Sequence, residues 1–308
     1  MGIVEKISCD LGISAQYLKS FTDFSKLYKI YEIKKKCGTG YRRIHHPAKE
    51  LKALQYWMIR NVFLKLPTSK HNTAYAKGCS IRNNAQEHVY SRFMLHVDIQ
   101  NFFNNITNSH LEILLQQHGY SQEDILTICK IVLYKGHLTI GSVVSPIVSN
   151  VVMYDFDNSL YESLTCIQDV VYTRYADDIV VSSKEFIVPE ILNIIDTHLA
   201  EWGFDRNTNK TYYASKSRKR QITGVILDNN NIRIGVGKTR LQQVKKGLYR
   251  YLIHEEGNRD EILGQLAFVK SVNDEQYRSL IGKYQNYKNW GSLIGEDDTK
   301  VPQAGRSL

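Results

Sequence analysis

Apolar and polar residues alternate from Tyr28 to Ile33, which predicts a strand preceded by helix in the first forty residues. Lys34-Lys35-Lys36 and Gly38-Thr39-Gly40 read as a basic turn, followed by a short strand, Tyr41–Ile44, that Pro47 ends. Leu51, Leu54, Trp57, Met58, Val62 and Phe63 recur at helical spacing over residues 48–65, with Pro67 as the stop. Phe93–Ile99 alternates as a strand. A helix follows Ser109, with Ser109 and Glu112 as its capping box and Gly119 beyond its end, and another starts near Ser121. Ser145-Pro146 opens a long helix carrying Val148, Val151, Val152 and Phe156. Two β runs, Val170–Tyr172 and Ile179–Val181, flank a tight turn; Pro189 opens a helix that Gly203 closes, and beyond about residue 232 the pattern is helical. Strands and helices mix without strict alternation, so the fold class is α+β.

Charge sharpens this picture. Over 308 residues the net charge is +9, yet residues 203–250 hold twelve Lys/Arg against Asp205 and Asp228 alone, so the rest of the chain is close to neutral. Such a cluster suits counterion release from a phosphate backbone, and the interleaved Tyr212, Tyr213, Tyr249 and Tyr251 could pack on sugars or bases. No apolar run approaches the roughly 20 residues that a membrane helix needs, and the N-terminus has neither a signal-peptide core nor a myristoylation pattern. Cys9, Cys37, Cys79, Cys129 and Cys166 are odd in number and never spaced CxxC, which suits thiols in a reducing cytoplasm. HExxH, GxSxG and the P-loop are absent, and His45-His46, adjacent on a strand, point to opposite faces and cannot share an ion.

The strongest chemical signal is Tyr175-Ala176-Asp177-Asp178 between the two β runs. Adjacent aspartates in a tight turn raise each other's pKa unless a cation neutralises them. A hard dication with oxygen ligands does so, Mg²⁺ above all, with Mn²⁺ as a substitute. Asp98, ending an apolar strand, also needs a partner. If that strand lies beside the Asp177 hairpin, three carboxylates converge and can hold two Mg²⁺ ions, the arrangement that stabilises attacking and leaving oxygens of a phosphoryl transfer together.

At these residues the chain resembles the reverse transcriptases, and specifically the bacterial retron enzymes. Tyr172–Asp178 (YTRYADD) matches that family's catalytic hairpin; Leu95–Phe103 resembles the strand with its first aspartate; Gly141–Asn150 (GSVVSPIVSN) resembles the loop and helix beside template and nucleotide. Gly203–Thr211 resembles the segment that supplies a lysine, and Arg42–Gln55 the fingers strand and helix. Asn84-Ala-Gln-Glu-His88 (NAxxH) and Ile222-Thr223-Gly224 (near VTG) point to retrons in particular. The sequence departs from the family at Ile140, where glutamine is usual, and at Val143, where a second proline is common.

The resemblance implies a right-hand polymerase with fingers over 1–92, a palm over 93–232 and a helical, basic thumb over 233–308. It implies that Asp98, Asp177, Asp178 and the backbone carbonyl of Ile99 hold the metals, and that Lys210 gives a proton to the leaving pyrophosphate. Arg42 would meet the triphosphate, with Arg43 on the opposite face of the strand; Phe103 would exclude a ribose 2′-hydroxyl, and Gly141 would sit beside the nucleotide. Tyr175 would abut the primer end, and Ser145 and Pro146 would shape the helix under the template. Asn84, His88, Ile222, Thr223 and Gly224 would help recognise RNA, with Lys238, Arg240, Lys245 and Lys246 along the duplex backbone. The implied partners are dNTPs, a cognate structured non-coding RNA of the msr-msd kind serving as template and 2′-OH primer, and its branched multicopy single-stranded DNA product. A separate effector protein acting in anti-phage defence is also implied, with no effector domain appended and no membrane partner. Two other readings share these motifs: a polymerase-like RNA-binding scaffold that restrains an effector, and a non-retron or group-II-like reverse transcriptase.

Overall fold

The computed structural model describes residues 2–20, 23–35, 40–230 and 232–295. Lys36, Cys37, Gly38 and Thr39 of the basic turn, and residues 296–308, lie outside the described residues. The chain divides into two compact units. One holds the chain up to Ser80 together with Arg92–Tyr213; the other holds Ile81–Ser91 and the chain from Ala214.

In the first unit, β1 (Tyr28–Lys34) and β2 (Tyr41–Pro47) form an antiparallel ribbon. β3 (Phe93–Asp98), β4 (Val171–Tyr175), β5 (Asp178–Ser183) and β6 (Tyr212–Ser215) form a sheet in the order β4-β5-β3-β6, the unit boundary falling within β6. β3 and β5 are buried almost throughout; apart from His96 within β3 and the two serines that end β5, their interior positions are apolar, and their aspartates stand at one end. Helices Lys49–Asn61, Asn108–Gln117, Gln122–Val132, Ser145–Val152, Tyr154–Ile167 and Pro189–Glu201 supply the rest of one continuous core around Phe63, Leu95, Phe156 and Phe204.

The second unit contains a small antiparallel sheet of β7 (Arg220–Ile222), β8 (Val225–Leu227) and β9 (Ile234–Gly235). The helix Ile81–Glu87 packs on this sheet and on the helix Arg259–Val272. Helices Lys238–His254 and Asp274–Tyr284 complete the unit, with Val244, Leu248, Leu266, Val269 and Leu280 buried.

The α+β class holds, with four local corrections. The capping box is Thr107 with His110, not Ser109 with Glu112: Thr107 pairs with His137 in extended conformation, so the helix starts right after it, and the Thr107 N–H donates to His110 Nδ1 at 3.2 Å. The helix from Ser145 breaks at Met153, whose ψ of 9° ends the first ladder before a second begins at Tyr154. β7 to β9 occupy a stretch with no anticipated strands, and helix begins at Lys238 rather than near 232. Finally, both Arg42 and Arg43 line the same cleft, because the ribbon tip is exposed on both faces and long side chains there are not sorted by alternation.

Candidate active site

Asp98 and Asp178 are directly opposed across β3 and β5, so their side chains leave the sheet on the same face at the same end. Asp177 precedes Asp178 in the two-residue turn from β4 to β5, and its carbonyl accepts a hydrogen bond from Ile99 N–H at 2.8 Å. The other turn residue, Ala176, has φ 58°, a left-handed conformation strained for a residue with a Cβ. Arg174 holds it there. Its Nη1 donates to Ala176 O at 3.0 Å, while Nε and Nη2 grip both oxygens of Asp157 at 2.7 Å. Tyr172 O–H donates to the same Asp157 at 2.7 Å, and all three side chains are buried. An ionised arginine inside a protein is tolerable only when paired in this bidentate way.

The chain returns to this edge at residues 204–210. Gln100 N–H donates to Asp205 O and Asn207 N–H to Asp98 O, each at 2.8 Å. A 3-10 turn, Thr208–Lys210, then delivers Lys210 Nζ to Asp98 Oδ2 at 2.6 Å. On the same face of β3, two residues before Asp98, His96 Nε2 lies 3.4 Å from Asp178 Oδ1 and its ring stacks on Tyr212. Asp98, Asp177 and Lys210 line a cleft of about 940 Å³ with Arg42, Phe103 and Tyr75.

The electrostatics follow from crowding. Burial, then the charges of Asp177 and Asp98, push the Asp178 carboxyl up to about 7. Burial and Asp98 push Asp177 upward as well. Burial opposes charge on Lys210, but its hydrogen bond to Asp98 and the three carboxylates outweigh this, so its ammonium is held above the ordinary lysine value. Among the described residues no three His, Cys, Asp or Glu side chains are gathered closely enough to hold one ion. The sequence expectation of three converged carboxylates is thus met by the backbone register but not by the side chains, because Asp98 is drawn to Lys210 and Asp178 to His96. The donor set still fits a hard dication: all oxygen, mutually repelling, and relieved by positive charge.

The remaining expected residues divide by exposure. Asn101, left-handed at φ 49°, turns the chain so that Phe102 enters the core while Phe103 lines the cleft. A Cβ on Gly141 (φ +104°) would lie 2.7 Å from Ile44 Cγ2 and 2.8 Å from His45 O; glycine lets this loop close on β2, where His45 N–H donates to Ile140 O. Ser145 is buried against Thr139 N–H, and Pro146 stands in the first turn of its helix. Tyr175 is half-buried, with its ring 6.2 Å from that of Tyr75. His45 is buried and His46 exposed beside Lys52, on opposite faces as expected.

In the second unit, Asn84 and His88 are fully buried, and burial depresses the His88 imidazole to about 3. Their side chains are part of this unit's interior. Ile222 is likewise core, while Thr223 (φ 44°) and Gly224 (φ 87°) form the half-exposed turn joining β7 to β8. Lys238, Arg240, Lys245 and Lys246 are exposed on a helix that contains no acid, and Arg240 lies 4.2 Å over the Phe268 ring. Within the basic tract Arg220 is a correction: it is buried, donating to Ser91 O, Asn229 Oδ1 and Asp228 O. Sequence reasoning missed His96, Arg174, Asp157 and Tyr75. A charged Arg inside a β run and a His two positions before Asp98 were readable signals for Arg174 and His96; Tyr75 offered none.

The family model described as reverse transcriptase (RNA-dependent DNA polymerase) matches residues 33–227. The chain is similar to the retron Ec86 reverse transcriptase of Escherichia coli, 28% identical over 82% of this chain and 79% of that one. It is 31% identical to the retron Ec83 reverse transcriptase of Escherichia coli over 90% and 95% of the two chains. The retron Mx65 reverse transcriptase of Myxococcus xanthus is 28% identical over 90% and 70%. Among solved structures, an apo telomerase from Candida tropicalis aligns with a TM-score of 0.50 at 9% identity, over 84% of this chain and 58% of the telomerase chain, a likeness of fold alone.

Proposed function

Because this chain belongs to the reverse transcriptases, and among them to the retron-type enzymes, and so is an RNA-directed DNA polymerase of a divalent-metal-dependent class, we propose that Asp98, Asp177 and Asp178 are its catalytic carboxylates. The observation that carries this is the register: Asp98 faces Asp178 with Asp177 beside them in the turn, at a cleft whose wall includes Arg42 and Lys210. With the Ile99 carbonyl these aspartates would hold Mg²⁺, which supplies charge neutralisation at the triphosphate and a more acidic primer hydroxyl.

The chain's own groups do the rest. Arg42 and Arg43 meet the triphosphate from β2. Phe103 occupies the floor beneath the incoming sugar, where a 2′-hydroxyl would collide with its ring. Lys210, protonated at neutral pH, releases Asp98 and gives its proton to the departing pyrophosphate oxygen. Tyr175 abuts the primer end, and Gly141 keeps the loop before the Ser145 helix against β2. The acid-free helix Lys238–His254 carries the exposed charge suited to a duplex backbone. The fingers, palm and thumb boundaries, at 92/93 and 232/233, are part of the same proposal.

The finer reading is a retron activity: a structured msr-msd RNA as template and primer, a branched RNA–DNA product, and a defence role with a separate effector in the cytoplasm. The NAxxH and near-VTG motifs and the retron relatives support it. The test supplies the non-coding RNA encoded next to the protein with Mg²⁺ and dNTPs but no other primer. DNA joined to the RNA through an internal 2′-oxygen is expected. DNA made only when a 3′-hydroxyl primer is added would remove the retron priming and leave the polymerase standing.

A further inference from the structure

Six non-glycine residues among those described have left-handed φ, and Tyr75, at 55°, is the aromatic among them. A bulky side chain there persists only when its surroundings hold it and its function needs it. The surroundings are explicit. Arg174 N–H donates to His71 O at 2.9 Å; Thr73 donates to Arg174 O through N–H at 2.8 Å and Oγ1 at 3.0 Å. Ala74 O accepts from the side-chain amides of Asn72 at 3.0 Å and Asn150 at 2.8 Å. Residues 71–74 are buried and laced along the strand that carries the aspartate turn, and the next residue emerges 45% exposed into the cleft.

What emerges is a flat ring next to the carboxylates. It lies 6.2 Å from the Tyr175 ring, tilted at 46°. Burial raises its phenol, as does the charge of Asp177, while Arg42 acts in the opposite sense. A ring so exposed is not core filler, and glycine or asparagine would suit this backbone better.

We propose that Tyr75 is a positioning residue whose ring, beside that of Tyr175, packs against the base pair at the primer end and holds it square to the carboxylates. The ligand class is the nucleobase and sugar surface of a terminal pair, which any sequence offers, so the contact is sequence-tolerant. This rests on the reading of the cleft as the polymerase site.

The test compares wild type, Tyr75→Phe, Tyr75→Gly and Tyr75→Asn in single-nucleotide extension of a defined primer–template, with thermal melting of each protein. Glycine and asparagine relieve the backbone, so their melting temperatures hold or rise. Their extension falls by about 5- to 150-fold, the range of one base–aromatic stack, with the loss in kcat rather than in KM for the nucleotide. Phenylalanine keeps the wild-type rate. Wild-type extension by the glycine variant with melting intact would overturn the proposal, as would a phenylalanine variant as poor as glycine, since a hydroxyl rather than a ring would then be acting. Wild-type protein inert both on this primer–template and on the non-coding RNA with Mg²⁺ and dNTPs would remove the polymerase reading itself, a failure visible before any variant is compared.

Discussion

Asp98 and Asp177 reach the same cleft by different routes, one at a strand end and one in a turn, and both were legible in the sequence, Asp98 as an acid ending an apolar run and Asp177 as half of an adjacent pair between two β runs. Lys210 was legible only through the resemblance and His96 only as a histidine two positions before Asp98; their pairing with Asp98 and Asp178, across 112 and 82 positions of sequence, is encoded by no local pattern. Asp178 carries a testable consequence. Its ordinary value is 3.8 and its folded value about 7, so between these the folded chain keeps a proton that the unfolded chain has lost, and stability falls as pH rises through that window. In chelator, wild-type melting temperature should therefore drop more steeply between about pH 5 and about pH 8 than that of Asp178→Asn. Mg²⁺ at the higher pH should restore the wild type and leave the variant little changed. Equal slopes would refute the crowding. Phe103→Ala should lower discrimination against ribonucleotides by about 10- to 100-fold in kcat/KM; unchanged selectivity would place the sugar filter elsewhere.

At the scale of elements, the β4–β5 hairpin is set by an interior pair rather than by turn-favouring residues. Ala176 stays left-handed because Arg174 reaches from the strand to its carbonyl while anchored on Asp157. Asp157→Leu or Arg174→Met should each cost about 3–5 kcal/mol by stranding a buried charge. The double variant Asp157→Leu with Arg174→Met should lose less than the sum, measurable by denaturant unfolding. Additive losses would show that the pair is not coupled. The longer strands and helices were readable from periodicity, which needs several residues to declare itself. β7, β8 and β9 are two or three residues long and carry too little pattern, and the Thr107 cap depended on a bridge to His137 that only the fold reveals.

For the whole molecule, the basic tract was visible as composition, but folding divides its charges among different tasks. Arg206 pairs with Asp196 at 2.7 Å, Lys210 with Asp98, and Arg220 is buried, whereas Lys238, Arg240, Lys245, Lys246 and Arg250 stay exposed on one helix. Lys245→Ala with Lys246→Ala should weaken RNA–DNA duplex binding regardless of sequence and reduce the salt dependence by about one unit for each phosphate left without its lysine. An unchanged slope would take this helix off the backbone. The chemistry of the molecule rests on its three aspartates. The most direct test is Asp177→Asn in Mg²⁺-dependent DNA synthesis on an RNA template, measured beside RNA affinity. Synthesis should fall by at least about a thousandfold, the several kcal/mol that metal-borne charge stabilisation supplies, with RNA binding retained. A variant that still polymerised at a rate near wild type would contradict it.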